Sequence, residues 1–140
     1  MGGRCCWPRE RGPSWCQTDP RAINGFGSGD GGGVHHQALV ILVGNAVMDG
    51  HLDTASGSAV FWRLGTLVPG EIVAVDDAQG KTWRFAVTAV RAYPAATAPL
   101  AAIFGPTDRP HLNLITCTGT WLVAAHQYDQ RLVVYTTAVS

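Results

Sequence analysis

EIVAVDDAQGKTWRFAVTAVRAY, residues 71 to 93, decides the fold class. Ile72, Val73 and Val75 supply the apolar positions of its first half. In the second half Trp83, Phe85, Val87 and Ala89 alternate with Arg84, Ala86, Thr88 and Val90. A period of two turns successive side chains to opposite faces, as in a strand that buries one face. Ala78-Gln79-Gly80 reads as a tight turn between the halves, so the stretch predicts a β-hairpin.

Outward from the hairpin the pattern persists. HLNLITC (111 to 117) and RLVVYTTAV (131 to 139) read as two further strands, and GNAVMDG (44 to 50) as a short one. GSAVFWRLGTLVPG (57 to 70) reads as one helical turn around Phe61, Trp62 and Leu64, closed by a Pro69-Gly70 turn. Pro94, Pro99, Pro106 and Pro110 punctuate a long connection. Short strands, prolyl loops and little helix predict an all-β barrel or sandwich with short helical turns. Ile72, Val75, Trp83, Phe85, Val87, Leu112, Leu114, Val133 and Tyr135 are its expected interior.

The 140 residues carry 10 basic and 10 acidic side chains, and a formal net charge of zero argues against a nucleic-acid partner. The longest apolar run, residues 38 to 43, is about a third of a membrane span. The N-terminus lacks the order of a signal peptide, so the chain as given reads as soluble. Residues 1 to 33 hold Cys, Trp, Arg, Pro and Gly with hardly any aliphatic residues, and GFGSGDGGG (25 to 33) has no period. Such a tract buries too little apolar surface to offset ordering and is expected to be disordered. Its glycines are no phosphate loop, for no strand precedes them and no Gly-Lys-Ser/Thr follows. The folded domain is therefore expected over 34 to 140.

The cysteines are Cys5, Cys6, Cys16 and Cys117. With no CxxC pair, a zinc ribbon is not indicated. Cys117, alone with histidines elsewhere in the chain, is a candidate nucleophile. It follows HLNLIT, His51 follows NAVMDG, and Arg131 opens RLVVYTT, so all three are expected at strand ends, where side chains on one rim converge. A thiol needs a base or a cation to become a thiolate, which His51 can supply before protonating a leaving amine. Arg131 can hold the oxyanion of a tetrahedral intermediate. Each also has a plain structural reading: Cys117 as a small buried hydrophobe, His51 as a turn residue, Arg131 as a surface charge at a strand start.

Taken in order, DGHLDTASGSAVFWRLGTLVPGE, IFGPTDRP, LNLITCTGTW and YDQRLVVY resemble a sortase, a cell-surface cysteine transpeptidase. They are most similar to the small branch with a GH-x-D motif, often called class E or F. The resemblance covers about residues 44 to 137. It implies a sortase β-barrel of seven or eight strands, with no visible counterpart here of its first strands, and no cofactor or metal. It places the family nucleophile on Cys117 within Leu114-Ile115-Thr116-Cys117, the histidine on His51 within Gly50-His51-Leu52-Asp53, and the arginine on Arg131. It implies cleavage of an LPxTG-type sorting signal between Thr and Gly, with the acyl group passed to a cell-envelope amine. Thr118 and Gly119 would leave the rim open to peptide. Asp53 would orient His51 or cap its loop, and Thr116 would help to hold substrate or oxyanion.

Members of this branch carry a membrane anchor and one or two strands before the GH-x-D strand, and work on the outer face of the membrane. Residues 1 to 33 resemble no part of the family. They read as a non-native leader, such as a GC-rich gene gives from a wrong start, or as the flexible leader of a soluble variant. Two rivals belong to other classes. One is a shortened sortase-like barrel that binds peptide without turnover. The other is a zinc peptidase that would use His51 and Asp53 of GHLDT as ligands.

Overall fold

The computed structural model describes residues 35–36, 45–55, 57–59, 61–76 and 81–139. The expectations for residues 1 to 33 and for the turn at 78 to 80 lie outside them. The elements are β1 (His35–His36), β2 (Asn45–Asp49), β3 (Asp53–Thr54), β4 (Gly57–Ser58), β5 (Ile72–Asp76), β6 (Thr82–Pro94), α1 (Leu100–Phe104), β7 (His111–Leu122) and β8 (Gln127–Val139). A single 3-10 turn, Leu64–Thr66, stands where one helical turn was expected, with Phe61 and Leu64 buried and Trp62 exposed.

Six strands form one sheet in the order β1-β2-β7-β8-β6-β5, and β3 pairs with β4 alone. The expected hairpin is β5–β6, with Val73 opposite Phe85 and Val75 opposite Trp83. β2 runs parallel to β7, while β8 pairs antiparallel with both β7 and β6. The all-β class holds, and among the described residues the sheet is open, with β1 and β5 as its outer strands. α1 lies inside the long prolyl connection and begins directly after Pro99. Among the described residues no helix is long and apolar enough to cross a membrane.

The sheet buries both faces at its centre. Met48, Phe61, Leu64, Val75, Phe85, Val87, Leu112, Leu114 and Val134 make the larger cluster. Ile103, Ile115 and Val133 make a second one, with Tyr93 and Tyr135 packed against it. Alternation therefore places Leu112 and Leu114 on one face of β7 and Ile115 on the other. The expected faces are corrected in three strands. In β8 Val134 faces the larger cluster, and Val133 and Tyr135 belong to the second, because the run from Leu132 to Tyr135 is apolar on both faces. In β5 Val73 and Val75 point inward, and Ile72 is 45% exposed on this outer strand. In β6 the pairing register shifts between Val87 and Ala89, so Val90 rather than Ala89 rejoins the larger cluster. A bulge inserts one residue and reverses the phase of the strand beyond it.

These placements separate two substitutions in one hairpin. Phe85 is fully buried, and Phe85→Ala should cost about 3–5 kcal/mol in urea unfolding. Ile72→Ala, on the exposed side, should stay within about 0.5 kcal/mol. Equal losses would mean that the face assignment of the hairpin is wrong.

Candidate active site

Cys117 and Arg131 are direct cross-strand partners in the β7–β8 ladder. Sequence reasoning put both at strand ends. Instead, Cys117 lies within the 12-residue β7 and Arg131 within the 13-residue β8. The hairpin runs on past them, through Thr118 opposite Gln130 and Trp121 opposite Tyr128, with a register shift between. That irregularity mimicked a strand end in the sequence. Gly119 takes φ 87°, a conformation open to glycine, and the Asp129 Oδ1 accepts a hydrogen bond from the Thr120 amide at 2.7 Å.

Alternation sets Cys117 on the face of Asn113 and Ile115, and Arg131 on the face of Val133, which is the second cluster's side. α1 is tied to this face by two asparagines. Asn113 Nδ2 donates to the Ile103 carbonyl at 2.8 Å and to Asn45 Oδ1 at 3.0 Å. Asn45 Nδ2 donates to the Ile103 carbonyl at 2.6 Å.

Arg131 is 2% exposed. Its Nη1 donates to the carbonyls of Tyr128 and Gln130, each at 2.9 Å, whereas its Nη2 is buried with no acceptor among the described residues. Burial alone pushes its pKa below the ordinary value, and it remains a cation. Burying a guanidinium without an anion is unfavourable by several kcal/mol. The buried Nη2 is a donor that an added acceptor would satisfy. Cys117 is fully buried and its sulfur is disulfide-bonded here. Thiolate chemistry at this sulfur therefore requires its reduction.

His51 leaves β2 on a chain fastened to β7. Asp49 pairs with Ile115, the Gly50 amide donates to the Ile115 carbonyl at 3.0 Å, and Thr116 Oγ1 donates to the Gly50 carbonyl at 2.8 Å. The next residue, His51, follows toward the level of Cys117, and its own carbonyl accepts from the Phe61 amide at 3.1 Å. Asp53 reaches β8 instead: its Oδ2 accepts the Tyr128 hydroxyl proton at 2.5 Å. Thr118 lies beside Cys117, half-buried and opposite Gln130.

Tyr128 was not anticipated. The only signal was its place three residues before Arg131 in YDQR. Its ring meets Trp121 edge to face, with centroids 5.2 Å apart. Its pKa is raised first by the bond to Asp53, then by burial and by the carboxylate charge, so the bond persists as pH passes the ordinary tyrosine value. Among the described residues no three His, Cys, Asp or Glu side chains are grouped as metal ligands.

The fold is that of solved sortases. Sortase C-1 from Actinomyces oris aligns with a TM-score of 0.57 at 22% identity, over 69% of this chain and 49% of that one. Sortase A from Corynebacterium diphtheriae gives 0.56 at 24%, over 69% and 40%. Sortase C1 of the group B Streptococcus pilus island 1 gives 0.61 at 19%, over 77% and 51%. The chain thus spans about half, or less, of the length of these solved structures. No curated protein matches it. A sortase-domain family model matches residues 24–139, and the chain belongs to the sortase family.

The irregular hairpin beyond Cys117 has a testable requirement. A Cβ at Gly119 would meet the Asp129 carboxylate and the Gln130 side chain, at a φ that L-residues avoid. Gly119→Ala should lower the unfolding free energy by at least about 1–2 kcal/mol. An unchanged urea midpoint would contradict this backbone.

Proposed function

We propose that this chain is a cysteine transpeptidase of the class E or F type, marked by Gly50-His51-Leu52-Asp53 and Leu114-Ile115-Thr116-Cys117. It cleaves an LPxTG-type sorting signal between Thr and Gly and passes the acyl group to an amine of the cell envelope. The observation that carries the reading is the pairing of Cys117 with a buried Arg131 that retains an unused Nη2 donor.

The reduced Cys117 thiolate attacks the threonine carbonyl carbon of the signal. The carbonyl electron pair moves to oxygen, and Arg131 Nη2–H stabilises that oxyanion. When the tetrahedral intermediate collapses, the C–N bond breaks and His51 gives its proton to the departing glycine amine. The thioester on Cys117 remains. An envelope amine then attacks it, His51 takes the amine proton, and the thiolate leaves. Water in place of the amine gives slow hydrolysis. Thr116 serves by fixing Gly50, and with it the approach of His51. Thr118 borders the path of the peptide. The substrate places this work on the outer face of the membrane, and the chemistry needs no cofactor.

Reduced protein should cleave a sorting-signal peptide, and Cys117→Ala should abolish the cleavage. Arg131→Ala should lose about 2.7–4 kcal/mol of transition-state stabilisation. Arg131→Lys should recover only part of that, because an ammonium does not reproduce the guanidinium's fixed fork. Full cleavage by Cys117→Ala would end this reading.

A further inference from the structure

We propose that Tyr128 is a positioning residue that latches the histidine-bearing loop to the arginine strand, an inference that rests on the sortase reading above. Tyr128 works at both ends. Its hydroxyl donates to Asp53 Oδ2 at 2.5 Å, and its carbonyl accepts from Arg131 Nη1 at 2.9 Å. The hydroxyl bond joins positions 75 residues apart in the chain. Its length falls in the charge-assisted range for O–H···O⁻.

The loop from Gly50 to Asp53 is thereby held at two points with His51 between them. The first point is Gly50, bonded to β7 through Ile115 and Thr116. The second is Asp53, bonded to β8 through Tyr128. Backbone bonds from Phe61 to His51 and from Ala59 to Leu52 hold the chain leaving His51 to its own loop, and the Asp53–Tyr128 bond ties that loop to β8. The edge contact with Trp121 fixes the ring, and the pairing of Trp121 with Tyr128 fixes its backbone. One tyrosine thus bonds both the His51 loop and Arg131. Asp53 acts on His51 through Tyr128 and the loop backbone, and Tyr128 itself touches no reacting atom.

The test uses the full chain, reduced and freed of reductant. The rate of Cys117 alkylation by iodoacetamide is read site by site by mass spectrometry. His51→Ala should slow it. Tyr128→Phe, which keeps the ring and the carbonyl, should slow it by about three- to tenfold, the scale of one partly solvated hydrogen bond. Asp53→Ala should do the same, and the double variant should be no slower than either single one. Asp53→Asn, whose amide oxygen still accepts from Tyr128, should react faster than Asp53→Ala. If Tyr128→Phe reacts like the parent while His51→Ala is slow, the latch is wrong and the sortase reading stands. Additive losses from Tyr128 and Asp53 would also overturn the latch. If His51→Ala reacts like the parent, the sortase reading falls and takes the latch with it.

Discussion

The site depends on one constraint, the register of β7 against β8. It sets Cys117 opposite Arg131 and carries both on the face away from the larger core. A slip of one residue would turn the pair to the other face, among Leu114 and Val134. The register is held from several sides. Leu112 and Leu114 pack beneath it, Ile115 and Val133 pack above, and Thr136 Oγ1 donates to the Leu112 carbonyl at 2.6 Å. Antiparallel pairing thus makes Cys117 and Arg131 cross-strand neighbours.

Burial of Arg131 runs against stability, and the surroundings compensate only in part. Two backbone carbonyls satisfy Nη1, and nothing among the described residues satisfies Nη2. A hydrophobic residue at this position would remove that desolvation cost. A buried cation with one donor left over makes physical sense where negative charge develops during turnover, because the donor is already oriented and dry. The second cluster supports this arrangement. Ile103 of α1 packs on Ile115 and Val133, and Asn45 and Asn113 both hold its carbonyl, so the β6–β7 connection is anchored over the site's own face.

Much of this was legible from residues. The β5–β6 hairpin and the core face of β7 followed from alternation, and motif order singled out His51, Cys117 and Arg131 as candidates. What was not legible has local causes. The face of β8 was ambiguous because Leu132 to Tyr135 is apolar throughout, and a strand buried on both faces loses its period. The face reversal in β6 hides in a bulge beside Thr88, which alternation cannot register. α1 spans Leu100–Phe104 and is held by bonds from Asn113 and from Asn45, the latter 58 residues from Ile103 in the chain. Tyr128 escaped notice because its partner, Asp53, is distant in the chain and becomes a neighbour only through the fold.

The central claim is that Cys117 forms the acyl intermediate. Its most direct measurement is acid-quench mass spectrometry of the reduced chain mixed with an LPETG peptide. The account predicts a peptide fragment ending at threonine, attached as a thioester to Cys117 and released by hydroxylamine. Cleavage of the peptide with no adduct on Cys117, or an adduct on Cys5, Cys6 or Cys16 instead, would contradict it.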